Sequence, residues 1–249
     1  MMLVFTYHEV RDCAGEGETG FYAISPAQLA RHLEILDAKG LGFLKLEELE
    51  NNSPENKCIL TFDDATCDHY DVVFPMLEKH RWRGSFFVPT AKLNQPGYLT
   101  DAQVREMSAA GHEIGSHSHE HQRMDRLSEE EVRQQMTRSQ EILAGIIGKK
   151  PVTFVPPGGF MNEHIRKVAG ELGFRGIRTM RWGYNQKMDL MGLETLPINH
   201  YTGEKRFQKL LEPQGASALY AGKEMLKKLM PLRNYEKLRK LAFKFWKFN

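Results

Sequence analysis

Short runs of apolar, β-branched and aromatic residues alternate along the chain with helical patterns, and this alternation limits the fold more than any other feature. Leu3–Tyr7, Gly42–Leu46, Cys58–Phe62, Gly84–Val88, Glu113–Gly115, Thr153–Val155 and Thr195–Asn199 are expected as strands, with Gly176–Met180 as an eighth. The helices between them carry start signals. Ser25 and Pro26, followed by Gln28, offer an N-cap, a proline at the first helical position and a capping-box glutamine. Thr100 with Gln103, and Ser128 with Glu131, repeat the box, in which each side chain satisfies an orphan N–H at the helix start. Gly40 and Gly111 stand where helices would end in a left-handed residue. Alternating strand and helix imply a parallel sheet or a barrel, and 249 residues suffice for one such core.

Composition excludes several classes. A net charge of +2 does not suit a nucleic-acid binder. Cys13, Cys58 and Cys67 form no CxxC pair and no disulfide framework, which favours a reduced setting. The N-terminal MMLVFTYHEV lacks the basic, apolar and small-residue regions of a signal peptide. No apolar run approaches the roughly 20 residues that span a bilayer. The expected location is therefore cytoplasmic, or peripheral to the inner face of the membrane.

The C-terminal part differs in character, and the chain divides on this reading into residues 1–212 and a basic amphipathic helical extension over 213–249. From Leu219 onward there are nine Lys/Arg and two Glu. Tyr235, Leu238, Leu241, Phe245 and Phe248 recur at helical spacing beside Lys237, Lys240, Lys244 and Lys247. Such a helix can pack on the main body with a solvated lysine face, lie on an anionic membrane surface, or bind a partner or anionic glycan. Peripheral membrane contact would make a lipid-linked sugar a reasonable substrate.

Chemistry concentrates in two segments. Ile59-Leu60-Thr61-Phe62-Asp63-Asp64 ends an apolar strand with adjacent carboxylates, which diverge within a strand but can take different tasks at its end. Taken alone, the pair reads as readily as a turn or helix cap. The second segment, Gly111 to His121, holds four histidines within ten positions. His117 and His121 are four apart, a spacing that lets two imidazoles converge on one ion. Two neutral nitrogens and one carboxylate leave positions open for water and substrate, unlike a closed structural site. His8, Asp63, Asp64, His117, the Pro156–Gly159 segment and His200 all follow expected strands. In a parallel barrel these ends share one face, where active sites are built.

Thr61-Phe62-Asp63-Asp64 and His117-Ser118-x-x-His121 resemble the first two motifs of the polysaccharide deacetylase family (NodB homology, carbohydrate esterase 4). The Phe154–Gly159 segment resembles the third, and the likeness extends over about residues 3 to 212. The resemblance implies a distorted (β/α) barrel of seven or eight parallel strands. It further implies one divalent ion, usually zinc with cobalt or nickel as alternatives, on Asp64, His117 and His121. Asp63 would be the general base, and Pro157, Gly158 and Gly159 the substrate or oxyanion loop. The implied reaction removes acetyl, N-linked rather than O-linked, from a glycan in cell-envelope or exopolysaccharide metabolism. In the family a histidine near the end of the barrel is the general acid, and His200 is the candidate for it.

This chain departs from the family pattern at several points. Val155 stands where an arginine usually orients the base, and Gly158 where an aromatic is usual. Arg178 or Arg181, near Trp182, could supply the missing charge from another strand, or both could be solvated. Ala65 replaces the usual glycine after the paired aspartates, which matters little if its φ is negative. His8 is read as either structural or cleft-lining, and Trp182-Gly183-Tyr184-Asn185 as either an aromatic platform or core. A deformylase or amidase on the same barrel, a sugar binder with impaired catalysis, and a ferrous oxygenase are the rival functions.

Overall fold

The computed structural model describes residues 1–12 and 20–212. By contacts the chain divides into two compact units, Met1–Glu204 and Lys205–Asn249. The basic extension expected over 213–249 lies outside the described residues.

The first unit is a closed barrel of seven parallel strands with one additional strand. The strands are β1 (Leu3–Tyr7), β2 (Gly42–Leu44), β3 (Lys57–Asp63), β4 (Ser85–Val88), β5 (Glu113–Ser116), β6 (Thr153–Phe154), β7 (Gly176–Trp182) and β8 (Leu193–Pro197). They run in the order β1-β8-β7-β6-β5-β4-β3-β2, and pairing of β1 with β3 closes the ring. One edge of β3 pairs with β2 at Lys57–Ile59 and with β4 at Thr61–Asp63, so β2 is the strand outside the barrel. All eight pair in parallel.

The helices are α1 (Pro26–Ala38), α2 (Phe74–Lys79), α3 (Asp101–Ala109), α4 (Glu129–Ile147) and α5 (Glu163–Glu171), with α6 (Glu204–Leu210) starting at the last residue of the first unit. Thr100 and Ser128 cap α3 and α4 with full capping boxes, and Ser25 caps α1. Gln28 does not close the box on α1. Its amide donates instead to the Thr202 carbonyl at 2.9 Å, tying α1 to the loop after β8. Gly40 and Gly111 do adopt left-handed φ, 66° and 95°.

Alternation along the strands divides the core. Val4, Ile59, Phe87, Val155 and Leu193 form one apolar cluster with Met2, Leu44, Leu46 and Leu49. One step further along, Thr6 meets Thr61 at 3.0 Å and Thr195 at 2.6 Å, a hydroxyl layer that is fully buried and internally satisfied. Phe154 of β6 and Ile177 of β7 pack with Ile165, Val168 and Phe174 and with Val132 and Met136 of α4. Of the expected strands β8 shifted most, starting at Leu193 and ending at Pro197, while β2 stops at Leu44 because Leu46–Glu48 forms a short 3-10 helix.

Candidate metal and catalytic site

Above the threonine layer the same alternation turns from apolar to ionisable. Val4 and Thr6 on β1, and Ile59 and Thr61 on β3, face the interior, so the next inward positions are His8 and Asp63. Asp63 is the last residue of β3 and is buried. The chain then turns sharply, with φ of 81° at Asp64 and 54° at Ala65. That turn lets adjacent carboxylates do different things, because Asp64 leaves the strand before its side chain would have to point outward. Ala65 therefore does not meet the condition, a negative φ, under which the missing glycine would matter little. Left-handed backbone costs a non-glycine residue roughly 1–2 kcal/mol, and this chain carries it without glycine.

Asp64 meets both histidines of the second motif. Its Oδ1 lies 3.4 Å from His117 Nε2 and 3.0 Å from His121 Nε2. The three ligand atoms fall within 4.8 Å of one another. His117 donates from Nδ1 to the Val155 carbonyl at 2.6 Å. This fixes its tautomer and leaves the Nε2 lone pair facing the cluster, as ligating histidines require. Val155, whose side chain is buried in the apolar cluster, thus serves the site through its backbone. Ser118 and His121 both have left-handed φ, 65° and 60°, and His121 N–H donates to Ser118 Oγ at 3.1 Å. Strained backbone of this kind collects at functional sites.

Electrostatics tie these groups together. Burial opposes ionisation of Asp64, but hydrogen bonds from His117 and His121 outweigh it and hold the carboxyl well below the usual carboxylate range. Burial alone would lower the His117 imidazole. Its hydrogen bond to Asp64, aided by the charges of Asp63 and Asp64, raises it instead. A divalent ion fits this donor set, with two imidazole nitrogens and one ionised oxygen converging from a tight turn and a strained loop.

Asp63 faces a different partner. Arg178, fully buried on β7, directs one guanidinium nitrogen at both Asp63 oxygens. Its Nη1 lies 3.2 Å from Met180 Sδ, and its Cζ sits 5.7 Å from the Phe87 ring. Arg181 points elsewhere, onto the Gly192 carbonyl, and is exposed. Trp182 is half-buried at the end of β7, edge-on to Tyr184 at 5.3 Å. His200 directs its backbone N–H and Nδ1 at the Phe21 carbonyl, at 3.3 and 3.4 Å. Its ring lies 3.6 Å from that of Tyr201. His8 Nε2, by contrast, lies 3.9 Å from Asp63 Oδ2.

The loop after β6 is set by close packing. A Cβ on Gly159 would lie 2.2 Å from the Met180 nitrogen, so only glycine lets the loop press against β7. Gly159 N–H is taken by the Pro156 carbonyl at 2.7 Å and Pro157 has no N–H, leaving Gly158 as the one oxyanion donor the three can offer. The motif reading passes over Phe160, which is 41% exposed under the Arg123 guanidinium at 3.6 Å. Its sequence signal was the aromatic two places after Gly158, where an aromatic was expected and missing.

The polysaccharide deacetylase family model matches residues 50–177, just over half the chain. The chain belongs to the polysaccharide deacetylase family. The match includes Asp63, Asp64, His117 and His121 and ends one residue before Arg178. Among similar proteins are a peptidoglycan-N-acetylglucosamine deacetylase of Bacillus cereus, 29% identical over 56% of this chain and 61% of its own length. Another is the peptidoglycan-N-acetylmuramic acid deacetylase PdaA of Bacillus subtilis, 29% identical over 60% of this chain and 53% of its own. The chain thus spans less than two thirds of either relative. A Streptococcus pyogenes deacetylase, PplD, solved with acetate, superposes at a TM-score of 0.77 and 22% identity, covering 85% of this chain and 98% of its own. IcaB from Ammonifex degensii gives 0.74 and 23%, over 84% and 96%. These likenesses establish the NodB-type barrel.

Proposed function

We propose that this chain is a metal-dependent hydrolase that removes N-acetyl groups from a cell-envelope glycan. The observation that carries the reading is the Asp64–His117–His121 cluster with Asp63 beside it, paired to Arg178. The peptidoglycan deacetylases among the relatives support the substrate class.

Asp64, His117 and His121 would hold the ion, zinc by the character of the donors. Such an ion, when bound, acidifies a water and polarises the acyl carbonyl. Asp63 would accept a proton from the attacking water. Arg178, with one nitrogen on both Asp63 oxygens, holds that carboxylate aimed and buried. Gly158 N–H is the backbone donor the loop can offer to the developing oxyanion. The membrane-facing and lipid-linked readings rest on the basic tail, which is outside the described residues.

The test is acetate release from N-acetylglucosamine oligomers and from O-acetylated glycans by zinc-loaded protein, with Asp63→Asn alongside. Release from the N-acetyl oligomers, lost in Asp63→Asn, is expected. Turnover confined to esters would replace the amide assignment. Equal turnover by wild type and Asp63→Asn would remove Asp63 as base.

A further inference from the structure

Arg178 is fully buried, and its hydrogen-bond partners are few. Nη2 serves both oxygens of Asp63, Nη1 donates to Met180 Sδ at 3.2 Å, and Nε is buried without a partner. A guanidinium and a carboxylate that meet freely pair through two nitrogens and two parallel N–H···O bonds. Here one nitrogen carries both oxygens and neither neighbour completes the fork, because Nη1 is turned onto sulfur and Nε onto nothing. Met180 sits where β7 leaves its register with β8. Arg178 pairs with Leu193 and Trp182 with Thr195, so four steps on β7 match two on β8. Irregularities of this kind re-aim side chains beside active sites. Thr179 steadies this one, its hydroxyl donating to the Leu193 carbonyl at 2.9 Å and accepting from Arg181 N–H at 3.2 Å. Met180 is half-buried there, and its near end abuts the loop after β6: a Cβ on Gly159 would run into Met180 N, Cβ and Cγ. One side chain therefore meets the partner of Asp63 with its sulfur and the Pro157–Gly159 loop with its stem.

We propose that Met180 is a positioning residue whose thioether holds the Arg178 guanidinium turned, so that a single nitrogen aims Asp63. This rests on the deacetylase reading above. Sulfur is a weak acceptor, yet without it two of the three guanidinium nitrogens would be buried unsatisfied, which is costly. The guanidinium would then turn to bring a second nitrogen onto Asp63, where the full fork is the stronger pairing. The carboxylate would follow it off its present line, and a misplacement of about 1 Å can cost a reaction about 100-fold. The stem supplies a second constraint. Because Met180 packs against Gly159, the Arg178–Asp63 pair stays in register with Gly158, the backbone donor the loop offers to the oxyanion. Leucine would fill the same space without an acceptor, so packing by itself does not call for methionine. The sulfur acts through Arg178 alone.

The experiment uses zinc-loaded full-length protein and N-acetylglucosamine oligomers. Met180→Leu removes the acceptor and keeps the hydrocarbon, whereas Met180→Gln keeps an unbranched stem and puts an amide oxygen in place of sulfur. Met180→Leu should lower kcat by about 10-fold or more, with KM and zinc stoichiometry unchanged, and Met180→Gln should recover most of that loss. Added to Arg178→Met, Met180→Leu should cost less than about two-fold further, because residues that act through one another are not additive. Wild-type kcat in Met180→Leu, an equal loss in Met180→Gln, or the full further loss on the Arg178→Met background would overturn the proposal. Crystals of Met180→Leu should show Arg178 on Asp63 through two nitrogens, and a retained single-nitrogen contact would overturn it as well. Met180→Ala is held to the same outcomes if Met180→Leu does not fold. A wild type that turns over no N-acetyl sugar counts against the deacetylase reading, and the crystals then decide the Met180 contact on their own. An active wild type with Met180→Leu unimpaired counts against Met180 alone.

Discussion

Arg178 on β7 reaches across the mouth of the barrel to hold both carboxylate oxygens of Asp63 on β3, two strands that are not neighbours in the sheet. Both side chains are nearly inaccessible, so each is the other's counter-charge in place of water. Arg178→Met should leave a buried, uncompensated carboxylate. The expected cost is about 3–5 kcal/mol in urea unfolding, with kcat reduced about 100-fold as Asp63, the proposed base, loses its aim. Adding Asp63→Asn to Arg178→Met should recover stability but not activity. A double variant no more stable than the single one would mean the pair is not what holds Arg178 in the interior.

How far the sequence reached depends on what kind of signal each residue gives. The strands leading to Asp63, His117 and Val155 were legible as short apolar and β-branched runs, and the paired aspartates and histidines stand out where those runs end. Gln28 was misread because spacing alone cannot tell a capping side chain from one drawn to a neighbouring loop. The partner of Asp63 was narrowed to two arginines but not chosen. Arg178 and Arg181 differ by an odd number of residues on one strand, so they face opposite sides of it. Which side is the interior follows from Thr153 and Gly176 pairing across β6 and β7, a register invisible before folding. Backbone roles, such as the Val155 carbonyl on His117, leave no trace in residue type.

Metal binding should separate from proton transfer by mutation. His117→Ala and Asp64→Asn each remove one of the three proposed ligands and should abolish stoichiometric zinc in equilibrium dialysis. Asp63→Asn should retain zinc while kcat drops by about 100-fold or more. Chelation of the wild type should abolish turnover, and zinc should restore it. Zinc retention at wild-type affinity in His117→Ala would place the ion elsewhere.

The stability of the metal-free protein should depend on pH through Asp64 and His117. The Asp64 carboxyl is lower when folded, so its contribution is present above the ordinary carboxylate pKa and is lost as pH falls through the folded value. The His117 imidazole is raised, so its contribution is complete below about 6.5 and is lost as pH rises through the folded value. Metal-free protein should therefore be less stable at pH 8.5 than at pH 6, by thermal melts in matched buffers. Zinc should reverse the trend, because the ion takes the neutral imidazole and no longer competes with a proton. His117→Gln should flatten the alkaline side without zinc.

Ala65 offers the opposite test, a change that should improve the protein. Its φ of 54° follows the 81° of Asp64, and the turn is held by Leu99 N–H on the Ala65 carbonyl at 2.9 Å and by the Thr66–Tyr98 bridge. A methyl group in left-handed backbone costs roughly 1–2 kcal/mol, against about 0.5–1 kcal/mol for the greater freedom glycine loses on folding. Ala65→Gly should thus stabilise by about 0.5–1 kcal/mol, a Tm rise of a few degrees for a chain of this size. Zinc stoichiometry should stay unchanged, since Asp64 is placed by its two histidines as well as by the turn. A loss of zinc affinity in a more stable Ala65→Gly would show that alanine is kept there to stiffen the ligand turn.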